Sequence, residues 1–187
     1  MLKKTLLACA LIAPLSANAD IYTIDPAHSF VHFSIDHMGF SKLTGRFNAM
    51  SGTMDLDFDK GTGTVDVRVD PASVDTAHQK RDNHLRSADF FNVVEFPDIT
   101  FKSTSATLSD NGGTLKGDLT IKGITQPVTL VISNHACGIQ PFNKKTICGF
   151  NATTNIKRSD FNINWGLPNI VGDEVALSIE AEGIKEE

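Results

Sequence analysis

Three histidines near the start of this sequence, His28, His32 and His37, are the first side chains whose type and spacing suggest metal ligation. Strand geometry argues against it: His28 and His32 would share a face but stand about 13 Å apart, and His37 would point to the other side. Two imidazoles on one zinc ion must bring their nitrogens within about 4 Å. A cross-strand partner would have to complete the site, and no H-x-H or H-E-x-x-H pattern supplies one. Hydrogen-bonded or exposed histidines are the plainer reading, and neither a metal nor a cofactor is expected.

A second constellation lies in VDTAHQKRDNHLRSADFF, residues 74 to 91. Thr76 followed by Gln79 matches a capping box, which predicts a helix from Thr76 to about Ala88. At helical spacing Ala77, Arg81, His84, Leu85 and Ala88 share one face, with Gln79, Asn83 and Arg86 opposite. Arg81 and His84 are thus expected to face inward beside the apolar anchors, paired with carboxylates such as Asp89 and Glu95 or turned toward a ligand. Arg86 is expected to face water.

Catalytic arrangements are missing. There is no G-x-S-x-G elbow and no Gly-rich phosphate loop between a strand and a helix. Ser29 beside His28 would point to the opposite face of a strand. No catalytic residue is expected. The enzyme alternative is a histidine acid or base acting on an apolar substrate.

The elements that must position these groups begin after a leader. Lys3 and Lys4, an apolar run from Leu6 to Leu15, and Ala17-Asn18-Ala19 form a secretory signal peptide, with cleavage expected after Ala19. The run is about half of what a bilayer requires. Losing Lys3 and Lys4 leaves 15 basic against 22 acidic side chains, a formal charge of −7, which disfavours nucleic acid. Cys9 leaves with the leader. Cys137 and Cys148 remain, and in an oxidising compartment the pair is expected to form a disulfide closing a loop of about 12 residues; metal ligation is the alternative.

Residues 20–187 read as one domain in which period-two alternation dominates. Val31, Phe33 and Ile35 alternate with polar residues, as do Met54, Leu56 and Phe58, then Val65, Val67 and Val69 beyond a Gly-containing turn. The pattern recurs around Phe101, Leu119, Leu130 and Leu177. About eight such strands joined by tight turns predict an antiparallel barrel or sandwich, its interior either packed or holding one small ligand. Twelve Phe against one Tyr and one Trp make that interior apolar.

Four segments resemble the YceI-like proteins: IDPAHSFVHFSIDHMGFSKLTGRF (24 to 47), SVDTAHQKRDNHLRSADFF with the following EFPDITF (73 to 101), GDLTIKGITQPVTL (117 to 130) and RSDFNI (158 to 163). The resemblance implies a mainly β fold, an eight-stranded antiparallel lipocalin-like β-barrel with one short α-helix beside it. It implies a secreted or periplasmic, stress-linked protein. Its ligand would be a long apolar molecule held for transport or storage, a polyisoprenoid, an isoprenoid quinone or a fatty-acid-like amide. Homodimers are part of the same expectation. By position, His28, His32, His37, Arg46, Arg81, His84 and Arg158 are the candidate polar contacts. Phe30, Phe33, Phe47, Phe90, Phe91, Phe101 and Phe161 are the candidate apolar wall. Asn162 stands where many relatives carry glycine, and the Cys137–Cys148 loop is not a general feature of the family.

Overall fold

A computed structural model describes residues 19–110 and 112–187, so the expected leader lies outside it apart from Ala19. Alternating sequence becomes strand throughout: β1 (Asp20–Ile24), β2 (Phe30–His37), β3 (Ser41–Phe47), β4 (Met50–Asp57), β5 (Thr62–Val69), β6 (Val74–Asp75), β7 (Ile99–Ser109), β8 (Gly112–Ile121), β9 (Ile124–Ile139), β10 (Thr146–Lys157) and β11 (Val171–Lys185). The helix α1 (Gln79–Arg86) is the single α-helix among the described residues. Every strand pairing is antiparallel, and β1-β4-β5-β7-β8-β9-β10-β11 form an eight-stranded ring closed by β1 against β11. Closure removes the edge where β1 meets β11, while β3 pairs with β6 only at Arg46 and Phe47.

The strand β11 serves two partners. Its last residues, Gly183–Lys185, pair with Ile24–Tyr22 of β1, while Val171–Glu180 pair with β2. From there β3 and β6 carry the wall past the ends of β1 and β4. The pleat decides what faces inward. On β8, Leu115, Leu119 and Ile121 are buried while Lys116 and Asp118 are exposed. The buried apolar residues form two clusters, one centred on Tyr22, Met54 and Leu56, the other on Leu119, Ile121 and Phe161.

The helix departs from the expected boundaries. Ala77 takes a left-handed φ of +58°, which stops any helix from beginning at Thr76. His78 is the N-cap instead, its Nδ1 accepting from the Arg81 N–H at 3.2 Å. Thr76 supports the helix from outside: its N–H and hydroxyl both donate to the buried Asp82 carboxylate, at 2.9 and 2.5 Å. The helix ends at Arg86, two residues early, with Ser87 as its cap.

Arg86 is also differently placed. It is half-buried and not free in water: Nε donates to the Ala72 carbonyl at 2.7 Å and Nη2 to the Val74 carbonyl at 2.8 Å, tying the helix to the chain before it. The RSDF segment folds as a 3-10 turn, Arg158–Phe161, ended by Asn162 at φ +55° and ψ +36°. This left-handed position explains why glycine suits it and why asparagine is the usual substitute.

Candidate functional site

The interior is not solidly packed. A cavity of about 620 Å³ runs along the barrel between the two clusters. At one end it meets Ile24, Met54 and Leu56, each 5 % exposed or less, so that end is sealed. At the other end the lining includes the exposed side chains of His78, Lys80, Trp165 and Ile170, and there the cavity opens.

The wall is aliphatic and aromatic, and its ionisable members come from one place. His37 at the end of β2, His78, Lys80, Arg81 and His84 of α1 and its cap, and Arg158 of the 3-10 turn all line the cavity. The sealed end contributes none. A long molecule entering this space would meet hydrocarbon along its length and polar groups only at its outer end.

Two glycines set the bore. Phe33 lies opposite Gly45 in the β2–β3 register, and a Cβ on Gly45 would come within 2.5 Å of its ring. A Cβ on Gly117 of β8 would come within 2.5 Å of the Phe101 ring. The tip of each ring thus rests over bare glycine backbone.

The cations at the mouth are not equivalent. The buried Arg158 donates Nε to the Gly172 carbonyl, Nη1 to those of Ile163 and Trp165, and Nη2 to that of Val171, all at 2.7 to 2.9 Å. Burial lowers its pKa and Asp173 opposes that shift. Ser159 anchors the same turn, donating its N–H and hydroxyl to the Asp173 carboxylate. Arg81 donates Nε to the Thr76 hydroxyl and Nη2 to the Thr76 carbonyl, both at 2.8 Å. His84 donates Nε2 to Asp89 at 2.8 Å, and its ring meets Phe90 and Trp165 edge-on at 5.0 and 4.9 Å. Glu95 accepts from Asn92 instead.

Of the polar residues singled out from sequence, His37, Arg81, His84 and Arg158 line the cavity, whereas His28, His32 and Arg46 lie outside it. His32 faces Glu180 at 3.1 Å, and the Arg46 guanidinium sits 4.9 Å from the Phe30 ring. Strand parity is the reason: Val31, Phe33 and Ile35 take the inner face of β2, which turns Phe30 and His32 outward. Phe33, Phe47, Phe90, Phe91, Phe101 and Phe161 are in the wall. His78, Lys80 and Trp165 also line it and were not singled out. His78 and Lys80 reach its rim because the helix starts three residues later than expected.

His28 belongs to an exterior cluster in which ligand atoms of Asp25, His28 and Glu182 lie within 4.8 Å of one another. Its Nδ1 donates to Asp25 at 2.8 Å. That bond raises the His28 pKa and holds the Asp25 carboxyl below its ordinary range. The ion pair accounts for the cluster without a metal. Cys137 and Cys148 sit opposite each other on β9 and β10 and are joined by a disulfide, with Cys148 wholly buried.

A closed antiparallel barrel around one apolar chamber, with ionisable groups gathered at its mouth, defines a class of small-molecule-enclosing proteins. Residues 22–183 match the family model of the YceI-like domain. This chain belongs to that family. It is 40% identical over 192 residues to Protein YceI of Escherichia coli O17:K52:H18, covering 99% of this chain and 100% of that one. Protein YceI of Salmonella arizonae is 41% identical over the same span. Among solved structures, Burkholderia cenocepacia BcnA superposes with a TM-score of 0.74 at 27% identity, over 85% of this chain and 98% of that one. The Campylobacter jejuni YCEI protein gives 0.67 at 32% identity, over 82% and 91%. A polyisoprenoid binding domain from Saccharophagus degradans shares the fold at 0.64 and 16% identity, over 88% and 98%.

Proposed function

We propose that this protein binds one long apolar lipid inside the barrel, its chain along the sealed bore and its polar head at the mouth. Polyisoprenoids, isoprenoid quinones and fatty-acid-like amides all have that form. The observation that carries the reading is the cavity of about 620 Å³, apolar along its length and ionisable at one end only. Its size falls within the roughly 300–1,000 Å³ of small-molecule sites. Burying about ten methylene equivalents at about 0.8 kcal/mol each supplies ample driving force, and a few polar groups then fix orientation.

His37, His78, Lys80, Arg81 and His84 are the groups we assign to the head, and Phe33, Phe47, Phe90, Phe91, Phe101 and Phe161 to the wall. Carriage or storage without catalysis suits a cavity whose described lining offers hydroxyls only from Thr76 and Thr154. The reading includes secretion through the leader at residues 1–19 and residence in the periplasm.

Extraction of protein purified from its native host into organic solvent, followed by mass spectrometry, tests this directly. One lipid per chain is expected. An extract without stoichiometric lipid, together with no uptake of added isoprenoid quinone, would overturn it.

A further inference from the structure

Large apolar side chains are left in water at the mouth. Phe40 is 87% exposed, Met38 49%, Ile170 43% and Trp165 39%. They form one lip. The Met38 N–H donates to the Ile170 carbonyl at 3.2 Å, the Phe40 N–H to the His37 carbonyl at 3.0 Å, and Arg158 holds the Trp165 carbonyl. The lip continues into the chamber, because His37, Trp165 and Ile170 also line it.

Charge around this lip is biased against the rest of the chain. The segment from Asn162 to Ile170 carries no charged side chain. Lys42 and Lys80 stand exposed beside it, in a sequence of formal net charge −5. The two lip segments, 38–42 and 162–170, contain Lys42 and no acid; the nearby Asp36 stands opposite Lys42 across β2 and β3, and Asp89 is paired with His84. Exposed aromatic and aliphatic groups beside two lysines match a lipid interface, where apolar side chains enter the headgroup boundary and cations meet anionic lipid.

Resting on the lipid-binding reading above, we propose that Met38, Phe40 and Ile170 seat the mouth on an anionic bilayer, so that ligand passes between membrane and chamber without crossing water. A rival surface exists at the β9–β10 hairpin tip, where Ile139 is 71% and Phe142 90% exposed beside Lys144 and Lys145. It lies about 35 Å away along β10, at the opposite end from the opening. That makes it the control.

The test is flotation of the native-host protein with vesicles of phosphatidylcholine, pure or mixed with phosphatidylglycerol, at low and physiological salt. Binding to the mixed vesicles is expected. Joint Met38→Asp and Phe40→Asp substitution should weaken it more than about tenfold. Lys42→Glu should weaken it about fivefold and flatten the salt dependence. Phe142→Asp should leave it unchanged, and Phe40→Asp should leave extractable lipid unchanged. A lipid-loaded wild type that ignores both vesicles overturns the docking proposal and spares the binding reading. Equal loss from Phe142→Asp also overturns it, as does a Phe40→Asp effect confined to dissociating a dimer in sedimentation. Vesicle binding through the lip with no lipid in the chamber and no uptake of added isoprenoid quinone would sink the binding reading and the ligand transfer that rests on it, leaving only the docking.

Discussion

The two ends of this barrel are held by different forces. At the sealed end, Tyr22, Ile24, Met54, Leu56 and Cys148 are all at most 5 % exposed and entirely apolar apart from one hydroxyl, and the disulfide fastens the hairpin beside them. At the mouth, cohesion comes from cations donating to backbone carbonyls: Arg158 to four, Arg81 to one and Arg86 to two. The contrast teaches that positive charge at an opening is not by itself a binding set. Arg86 and Arg158 are committed to architecture, whereas His37, His78, Lys80, Arg81 and His84 are the groups proposed for a lipid head.

The sharpest way to break this contrast is Arg158→Met. Four carbonyls would lose their donor and the mouth loop its tie, so stability should fall by roughly 3–5 kcal/mol in urea titration. A loss below about 1 kcal/mol would mean water replaces the guanidinium without cost. Next is the sealed end. Reducing Cys137–Cys148 should remove about 2–3 kcal/mol, the loop-closure contribution for a crosslink this short, with extractable lipid unchanged. Lipid loss on reduction would show that the two ends are coupled.

Arg81→Ala and Arg86→Ala should each cost about 1–2 kcal/mol, because both strip donors from backbone carbonyls. Only the first should also alter lipid retention, since only Arg81 lines the cavity. An Arg86→Ala protein as stable as wild type would return that side chain to a solvated role.

The smallest effect is expected from His28→Gln and is confined to a range of pH. His28 is raised above its ordinary 6.5 by Asp25, so its contribution is complete below that value and fades as pH rises through the folded pKa. Asp25 is lowered from 3.8 by His28, so its contribution is complete above that value and fades as pH falls through the folded pKa. Wild type and variant should therefore differ most between about pH 4 and 6.5, and denaturation curves that stay parallel outside and inside that window would remove the pair from the stability account.

Much of the fold was legible because alternation is local and the pleat enforces it. Val65, Val67 and Val69, or Leu115, Leu119 and Ile121, state their own inner face. The same parity, applied to β2, also turns Phe30 and His32 outward, a step that motif resemblance alone did not take. The helix start was misread because Thr76 and Gln79 have the right spacing for a cap, while the left-handed turn at Ala77 leaves no mark in residue type. The clamps made by Arg86 and Arg158 were illegible for a different reason: their partners are carbonyl oxygens, which every residue carries. Lys80 was missed as a consequence of the helix start, not for lack of chemistry.

The glycine–phenylalanine contacts have a consequence for how such a chamber changes its tenant. The Phe33 ring and the Thr76 methyl share the place of a missing side chain at Gly45, while at Gly117 the Phe101 ring shares it with the Lys102 carbonyl, so width is stored in several neighbours at once. A lone Gly45→Ala would force a ring off its bed, and a lone Phe33→Ala would leave a hollow. Adapting the bore at Gly45 to a stouter or slimmer guest thus involves the ring and Thr76 together with the glycine, and at Gly117 the backbone carbonyl of Lys102 bars any side chain whatever the ring does.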